Sequence, residues 1–341
     1  MISHILKYSI IFLIALGVSW FITPVVANIA KRFKILDKPV KNKVHKKPTP
    51  RLGGLAIFIA YFLSLFLTKN LNSDTGMIIF GGVVVLLLGA MDDMFKVPAV
   101  LKFLTICVLT FYLAWQGLFV GLFGNIFFLN LLVTLLWIVG VTSAFNAVDN
   151  MDGLASGIAA IASVTFFIIA FRTAQWEWAT LAIALFGALI GFLRYNFNPA
   201  KIFMGDSGSF FLGFTLAAIG IRGEWSQNSL KASVIPLLVL GVPIFDLAYI
   251  VIRRWVEGTA KGFINALTFC AKDHLSHRLV SLGLTQRKSV LVIYLISICV
   301  SIGAIVLQSV IKWDAVLLFL QFVLIFVTMI ILISITRKMR A

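Results

Sequence analysis

Residues 8–29 read YSIIFLIALGVSWFITPVVANI, 22 positions without a charged side chain, and the stretch that follows, Lys31 to Arg51, holds nine Lys or Arg. About 20 apolar residues suffice to cross a bilayer core as a helix, and a Lys/Arg-rich loop marks the cytoplasmic side on which it emerges. Ten more apolar runs are read at 52–68, 76–91, 98–115, 128–145, 154–171, 179–195, 209–221, 232–252, 289–308 and 315–336. The eighth is short for a span, which suits an earlier start or a locally thin bilayer. The fold class expected is an all-α polytopic membrane protein. It has about eleven transmembrane helices, the N-terminus outside and the C-terminus cytoplasmic. Residues 1–341 form a single transmembrane domain, with a cytoplasmic His/Arg loop at 253–288.

Composition agrees with this reading. The chain is 61% hydrophobic and 12% charged over 341 residues, with mean hydropathy +1.04. Soluble domains run at roughly 45–50% apolar and about 25% charged, so a soluble globule and a disordered chain are both excluded. No ten-residue alternation of an outer-membrane barrel is present. The first run lacks a basic leader segment and a small-residue cleavage site, and is read as a retained span. The three cysteines do not suggest a disulfide framework: Cys107 and Cys299 lie in apolar runs, Cys270 in a loop.

The net charge of +16 is juxtamembrane rather than a nucleic-acid footprint. With eleven spans and the N-terminus outside, 23 of the 29 Lys and Arg fall on the inner side and 6 on the outer. A miscounted span would scramble that split. Of thirteen acids, Asp37, Asp92, Asp93, Asp149, Asp152, Asp206, Glu257 and Asp273 lie in inner loops, with Asp246 near the inner end of the ninth run. Carboxylates gathered on the most basic face point to a cytoplasm-facing site that holds cations and phosphates. A cation- or lipid-phosphate-coupled transporter would carry its carboxylates mid-span, whereas all but Asp246 lie at span ends. No internal repeat of the transporter kind is seen.

Four stretches carry the chemistry. GAMDDMFKVPA (89–99) ends the third span with Asp92 and Asp93 adjacent and Lys96 four residues after Asp92. Two such carboxylates need a cation, either a divalent metal or a Lys, and a plain helix stop is the alternative. AFNAVDNMDGLASG (144–157) spaces Asn146, Asp149 and Asp152 by three, one face if helical, although Asn and Asp also make ordinary turns. NFNPAKIFMGDSGSFFLG (196–213) sets Asn196, Asn198 and Lys201 before Asp206, beside a Gly/Ser turn at a helix start. That turn suits a phosphate cradle with Asp206 holding Mg²⁺, or a simple N-cap. AKDHLSHRLVSLGLTQRKS (271–289) has His274, His277 and Arg278, better suited to phosphate than to zinc for want of a Cys or HExxH partner. In the first inner loop, NKVHKKPTPRLGG (42–54) offers His45 and Arg51 as a polar lid, or simply as attraction to lipid headgroups. Asp37, His45, Arg51 and Lys96 are the candidate substrate contacts on this basic side.

Together these motifs resemble the polyprenyl-phosphate N-acetylhexosamine-1-phosphate transferase family, its WecA/TagO branch, related to MraY. The resemblance covers most of the chain, from LDKPVKNKVHKKPTPRLGG through DDMFK, FNAVDNMDGLASG and NPAKIFMGDSGSFFLGF to DHLSHRLVSLGLTQRKSVL. It implies a bacterial inner-membrane helical bundle whose active site faces the cytoplasm and uses Mg²⁺, with Mn²⁺ able to substitute. The implied reaction moves sugar 1-phosphate from a UDP-N-acetylhexosamine to undecaprenyl phosphate and releases UMP, as the first membrane step of cell-surface glycan synthesis. The family's metal ligand falls on Asp206. Its paired aspartates fall on Asp92 and Asp93, and its second acidic pair on Asp149 and Asp152. Its nucleotide-side positions fall on Asn146, Asn198 and Phe203, the last able to stack uracil. Its His loop falls on His274, His277 and Arg278, with Ser276 where the family commonly has a third His. The loop looks like the GlcNAc branch, so UDP-GlcNAc is the expected donor. Another UDP-HexNAc or UDP-MurNAc-pentapeptide is the alternative. A homodimer is left open.

Two polyanions must meet in such a reaction, so metal and Lys/Arg screening carry more of it than a base. The second pKa of a phosphate monoester is about 6, so at neutral pH Asp92 or Asp93 gains little as a proton acceptor and is equally suited to hold metal. A covalent aspartyl intermediate stays open.

Overall fold

The computed structural model describes residues 2–38, 48–70, 72–226, 229–256, 258, 274–309, 316, 318 and 320–330. Eight helices come first: α1 (Ile2–Arg32), α2 (Gly53–Leu67), α3 (Ser73–Phe95), α4 (Ala99–Trp115), α5 (Phe127–Val148), α6 (Leu154–Arg172), α7 (Trp176–Asn196) and α8 (Gly205–Arg222). Then come α9 (Ser229–Val239), α10 (Gly241–Val256), the short α11 (Leu275–Ser281), α12 (Gln286–Leu307) and α13 (Leu320–Ile330). Between α1 and α2 two short strands, β1 (Leu36–Asp37) and β2 (Thr49–Pro50), pair antiparallel with Leu36 opposite Pro50. That hairpin was not expected from the sequence.

Where they are described, all eleven apolar runs lie mainly on helix, the eleventh being described only at 316, 318 and 320–330. Among the described residues six helices are long and apolar enough to cross a membrane, and a seventh span arises if α9 and α10 count as one. The ninth run is not a straight span: α9 and α10 meet at 79°. Pro243 lacks an amide hydrogen and its ring collides with the carbonyl one turn back, so the helix cannot continue through Leu240. The eighth run starts earlier than its apolar stretch, at Gly205.

Helix α8 is the axis of the bundle. It packs on α2, α3 and α5, and every residue from Ser207 to Gly220 is buried. A second layer is built by α1 and α6 against α7, with α12 against α6 and α9. The outer surface is apolar: Phe21, Leu67, Val108, Trp115, Phe128 and Leu136 are all exposed. Such a surface is stable in lipid rather than water.

The charges divide between two ends. Asp74 starts α3 and pairs with Arg222 at the end of α8, Asn72 donates to Glu177 at 2.6 Å, and Gln175 donates to the Glu224 carbonyl at 2.7 Å. The opposite ends of α3 and α8 carry Asp92, Asp93 and Asp206. The 23 residues of α3 span about 34 Å, one bilayer core. Asp314, Cys270, Glu257, Asp273 and the C-terminal basic residues lie outside the described residues, as do His45 and residues 259–273 of the 253–288 loop.

Candidate active site

Close helix packing creates the centre. A Cβ on Gly89 would lie 2.3 Å from the Asp206 carbonyl oxygen, so only glycine lets α3 touch the start of α8. That contact brings Asp93 under the first turn of α8. The Asp206 and Ser207 amides donate to Asp93 Oδ1 and Oδ2 at 3.1 and 3.2 Å, and the Asp93 side chain is fully buried. The expected phosphate cradle at this Gly/Ser turn is therefore corrected: these two amides are satisfied by a carboxylate of the chain itself. The dipole of α8 then stabilises Asp93 rather than a ligand.

Asp92 faces the other way, with its carboxyl beside that of Asp206, both within reach of Lys102. Two carboxyl groups side by side require a proton or a cation between them. The nearest cation is Lys102, 2.7 Å from Asp92 and 3.8 Å from Asp206, with its ammonium over the Phe210 ring. Lys102 lies in the first turn of α4, returned to the site by the turn at Pro98, and escaped the sequence reading because no motif contains it. Lys96, the expected partner of Asp92, is exposed at the C-cap of α3 in a left-handed conformation.

Arg51 closes one side. It donates to Asp37 at 2.9 Å and reaches Asp93 at 3.5 Å. Its backbone is fixed by pairing with the α7–α8 loop: Phe203 N donates to the Pro50 carbonyl at 2.8 Å and Gly53 N to the Phe203 carbonyl at 3.0 Å. Phe203 itself is half-buried beside Asp206 in sequence.

The α5–α6 turn forms the next wall. Asn146 accepts from Ser209 at 2.9 Å, which ties it to α8. Asp152 accepts from the Asn198 side chain at 2.9 Å and from the Ala200 amide at 3.0 Å, and Asn198 also donates to Gln286 at 3.1 Å. Gln286 was not expected. Asp149 lies just past the end of α5. Burial above all, then the charges of Asp93 and Asp152, push its carboxyl up to about 7 against the pull of Arg51.

The His segment docks on the far side of this turn. His274 Nδ1 pairs with Asp246 Oδ2 at 2.7 Å, and the Leu275 amide donates to Asp246 Oδ1 at 2.8 Å. Asp246, the one inner acid that the sequence places within a span, thus caps α11 from α10. His277 and Arg278 are half-buried on α11.

Arg51 and Lys102 are therefore the paired cations among five clustered carboxylates, those of Asp92, Asp93, Asp149, Asp152 and Asp206. Among the described residues no three His, Cys, Asp or Glu come together as a protein-only metal cage. Mg²⁺ does not need one: it keeps waters and substrate phosphates and is held by one or two carboxylates, for which Asp206 and Asp92 are suited.

A cluster of carboxylates and cations at one end of a membrane bundle suits an enzyme that handles phosphate. The family model for glycosyl transferase family 4 matches residues 75–224, which carry every one of those five carboxylates. The chain is 38% identical over 333 residues to a probable undecaprenyl-phosphate N-acetylglucosaminyl 1-phosphate transferase of Bacillus subtilis, covering 95% of this chain and 90% of the relative. It is 33% identical over 336 residues to a decaprenyl-phosphate N-acetylglucosaminephosphotransferase of Mycobacterium tuberculosis, covering 87% and 82%. It is 32% identical over 229 residues to a phospho-N-acetylmuramoyl-pentapeptide-transferase of Streptococcus pneumoniae, covering 61% and 67%. The chain belongs to this glycosyl transferase family of membrane phosphotransferases.

Proposed function

We propose that the chain transfers GlcNAc 1-phosphate from UDP-GlcNAc to undecaprenyl phosphate and releases UMP, at the cytoplasmic face of a bacterial inner membrane. The observation that carries the reading is Lys102 held against both Asp92 and Asp206, two carboxylates over a hundred residues apart in the chain, at 2.7 and 3.8 Å. The near full-length likeness to N-acetylglucosamine phosphotransferases supports the donor and a prenyl-phosphate acceptor.

In this reading Asp206 and Asp92 hold Mg²⁺. Bound there, the ion supplies charge neutralisation for the diphosphate and the attacking phosphate. Lys102 adds a second positive charge at the same point, and Arg51 a third from the β2–α2 junction. Asp93 does not react. It fixes the first turn of α8, and through it the direction of Asp206. Asp152 holds Asn198, and Asn146 holds Ser209, so the nucleotide side of the cleft is rigid before substrate arrives. Phe203 offers a ring face for uracil. Transfer of a phosphoryl-type group needs positioning and screening more than proton abstraction, and this donor set supplies both.

The test is UMP release by purified protein with UDP-GlcNAc and undecaprenyl phosphate in detergent. Turnover is expected to vanish in EDTA, return with Mg²⁺ or Mn²⁺, and be absent with UDP-MurNAc-pentapeptide. Lys102→Met should cost at least tenfold in kcat, since a charge at the reacting phosphates is lost. No UMP release from UDP-GlcNAc would overturn the reading.

A further inference from the structure

Helix α11 has seven residues, too few to be stable by itself. Two of its anchors lie on α10 and on the α5–α6 turn. The first is Asp246, which takes the His274 ring and the Leu275 amide. The second is Ser276, only 1% exposed, whose hydroxyl donates to Asn150 Oδ1 at 2.7 Å. The Asn150 amide cannot turn away, because its Nδ2 donates to the Ala147 carbonyl at 2.9 Å. Asn150 stands between Asp149 and Met151, inside the acidic α5–α6 turn.

The geometry separates the two faces of α11. Leu275, Ser276 and Leu279 are buried, while His277 and Arg278 are half-buried on the other side. Asp246 fixes the start of the short helix, and the Ser276–Asn150 bond ties its buried face to the turn that carries Asp149 and Asp152. We propose that Ser276 and Asn150 are positioning residues that register α11 on the acidic turn, so that His277 and Arg278 meet the donor diphosphate from a fixed direction. The last clause rests on the function proposed above; the latch itself does not.

The experiment compares Ser276→Ala, Asn150→Ala, their double variant and Ser276→Thr by two readouts. The Thr variant keeps the hydroxyl, and its extra methyl has the apolar cavity lined by Val148, Leu154, Val242 and Ile293 beside it. The first readout is amide hydrogen exchange over 275–282. Loss of one buried hydrogen bond should speed exchange about five- to tenfold in each Ala variant and no further in the double, with Thr at the wild-type rate. The second is kinetics. The KM for the UDP-sugar should rise about fivefold in the Ala variants, with the KM for undecaprenyl phosphate unchanged and Thr restoring the donor KM. Unchanged exchange in the Ala variants, or additive effects in the double, overturns the latch. Faster exchange with both KM values unchanged, or raised together, overturns its role in gripping the donor. If wild-type protein releases no UMP, the function reading fails, while the exchange readout still decides the latch.

Discussion

At the scale of single residues, Asp149 has the most direct consequence for measurement. Its carboxyl is raised from 3.8 to about 7 in the folded chain. The unfolded chain therefore gives up this proton first as pH rises, and the folded state binds more protons between about 4 and 7. Stability falls as pH rises through that window, by at most about 1.4 kcal/mol per pH unit. Asp149→Asn removes the slope: its advantage over wild type in thermal unfolding in detergent should grow from nothing near pH 4 to a plateau above pH 7. A difference that does not change with pH would show that Asp149 is not desolvated as described. Lys102 teaches the complementary lesson. Its ten-residue separation from Asp92 matches no helical spacing, because a turn intervenes, and only the packing of α4 against α3 reveals the pair.

At the scale of elements, the junction of α3 with α8 decides whether the site exists. Gly89→Ala puts a methyl against backbone that has no slack, so α3 and α8 must separate and the Asp93 cap and the placing of Asp92 beside Asp206 must both loosen. A loss of about 1–3 kcal/mol of stability is expected from such overpacking, with at least tenfold lower turnover. Gly76→Ala on the same helix meets nothing within 4 Å and serves as the control, expected to be near neutral. Equal effects of the two substitutions on melting and UMP release would refute the close-approach argument. The helices themselves were legible, because each apolar run is a local property of the chain, and the described residues of the runs lie mainly on helix. The acid motifs were legible as a set for the same reason. The capping of α11 by Asp246 and the diversion of the α8 amides to Asp93 were not, since each depends on partners 28 or more residues away; the bend at Leu240 is local, three residues before Pro243, and was hidden inside a continuous apolar run.

At the scale of the whole molecule, the two charged ends make a sidedness prediction. Lys34 and the Asp92–Asp206 cluster share the basic end, and Glu177 lies with Asp74 and Glu224 at the other. In a background without Cys107, Cys270 and Cys299, an impermeant thiol reagent should label Glu177→Cys in intact cells and Lys34→Cys only after permeabilisation. The reverse pattern would invert the topology. Positive-inside bias supplies the warrant: under an eleven-span reading with the N-terminus outside, 23 of the 29 Lys and Arg would lie on the inner side.

The central position of α8 also bears on how the chain is made. Membrane insertion tests each segment by its own surface as it leaves the ribosome, and rewards one that is greasy all round. Helix α8 is chosen for the opposite quality: its surface carries Ser207, Ser209 and Thr215 and the small residues that let neighbours approach. It is not among the six helices apolar enough to cross unaided. It should therefore be a poor insertion signal, lodging in the bilayer only once α2, α3 and α5 stand ready to sheathe it. In a glycosylation-reporter assay, residues 205–222 placed alone in a carrier should insert weakly, the same residues behind 1–204 should insert fully, and Gln286–Leu307 should insert in either setting. Complete insertion of the isolated 205–222 segment would mean that biogenesis does not wait for the sheath.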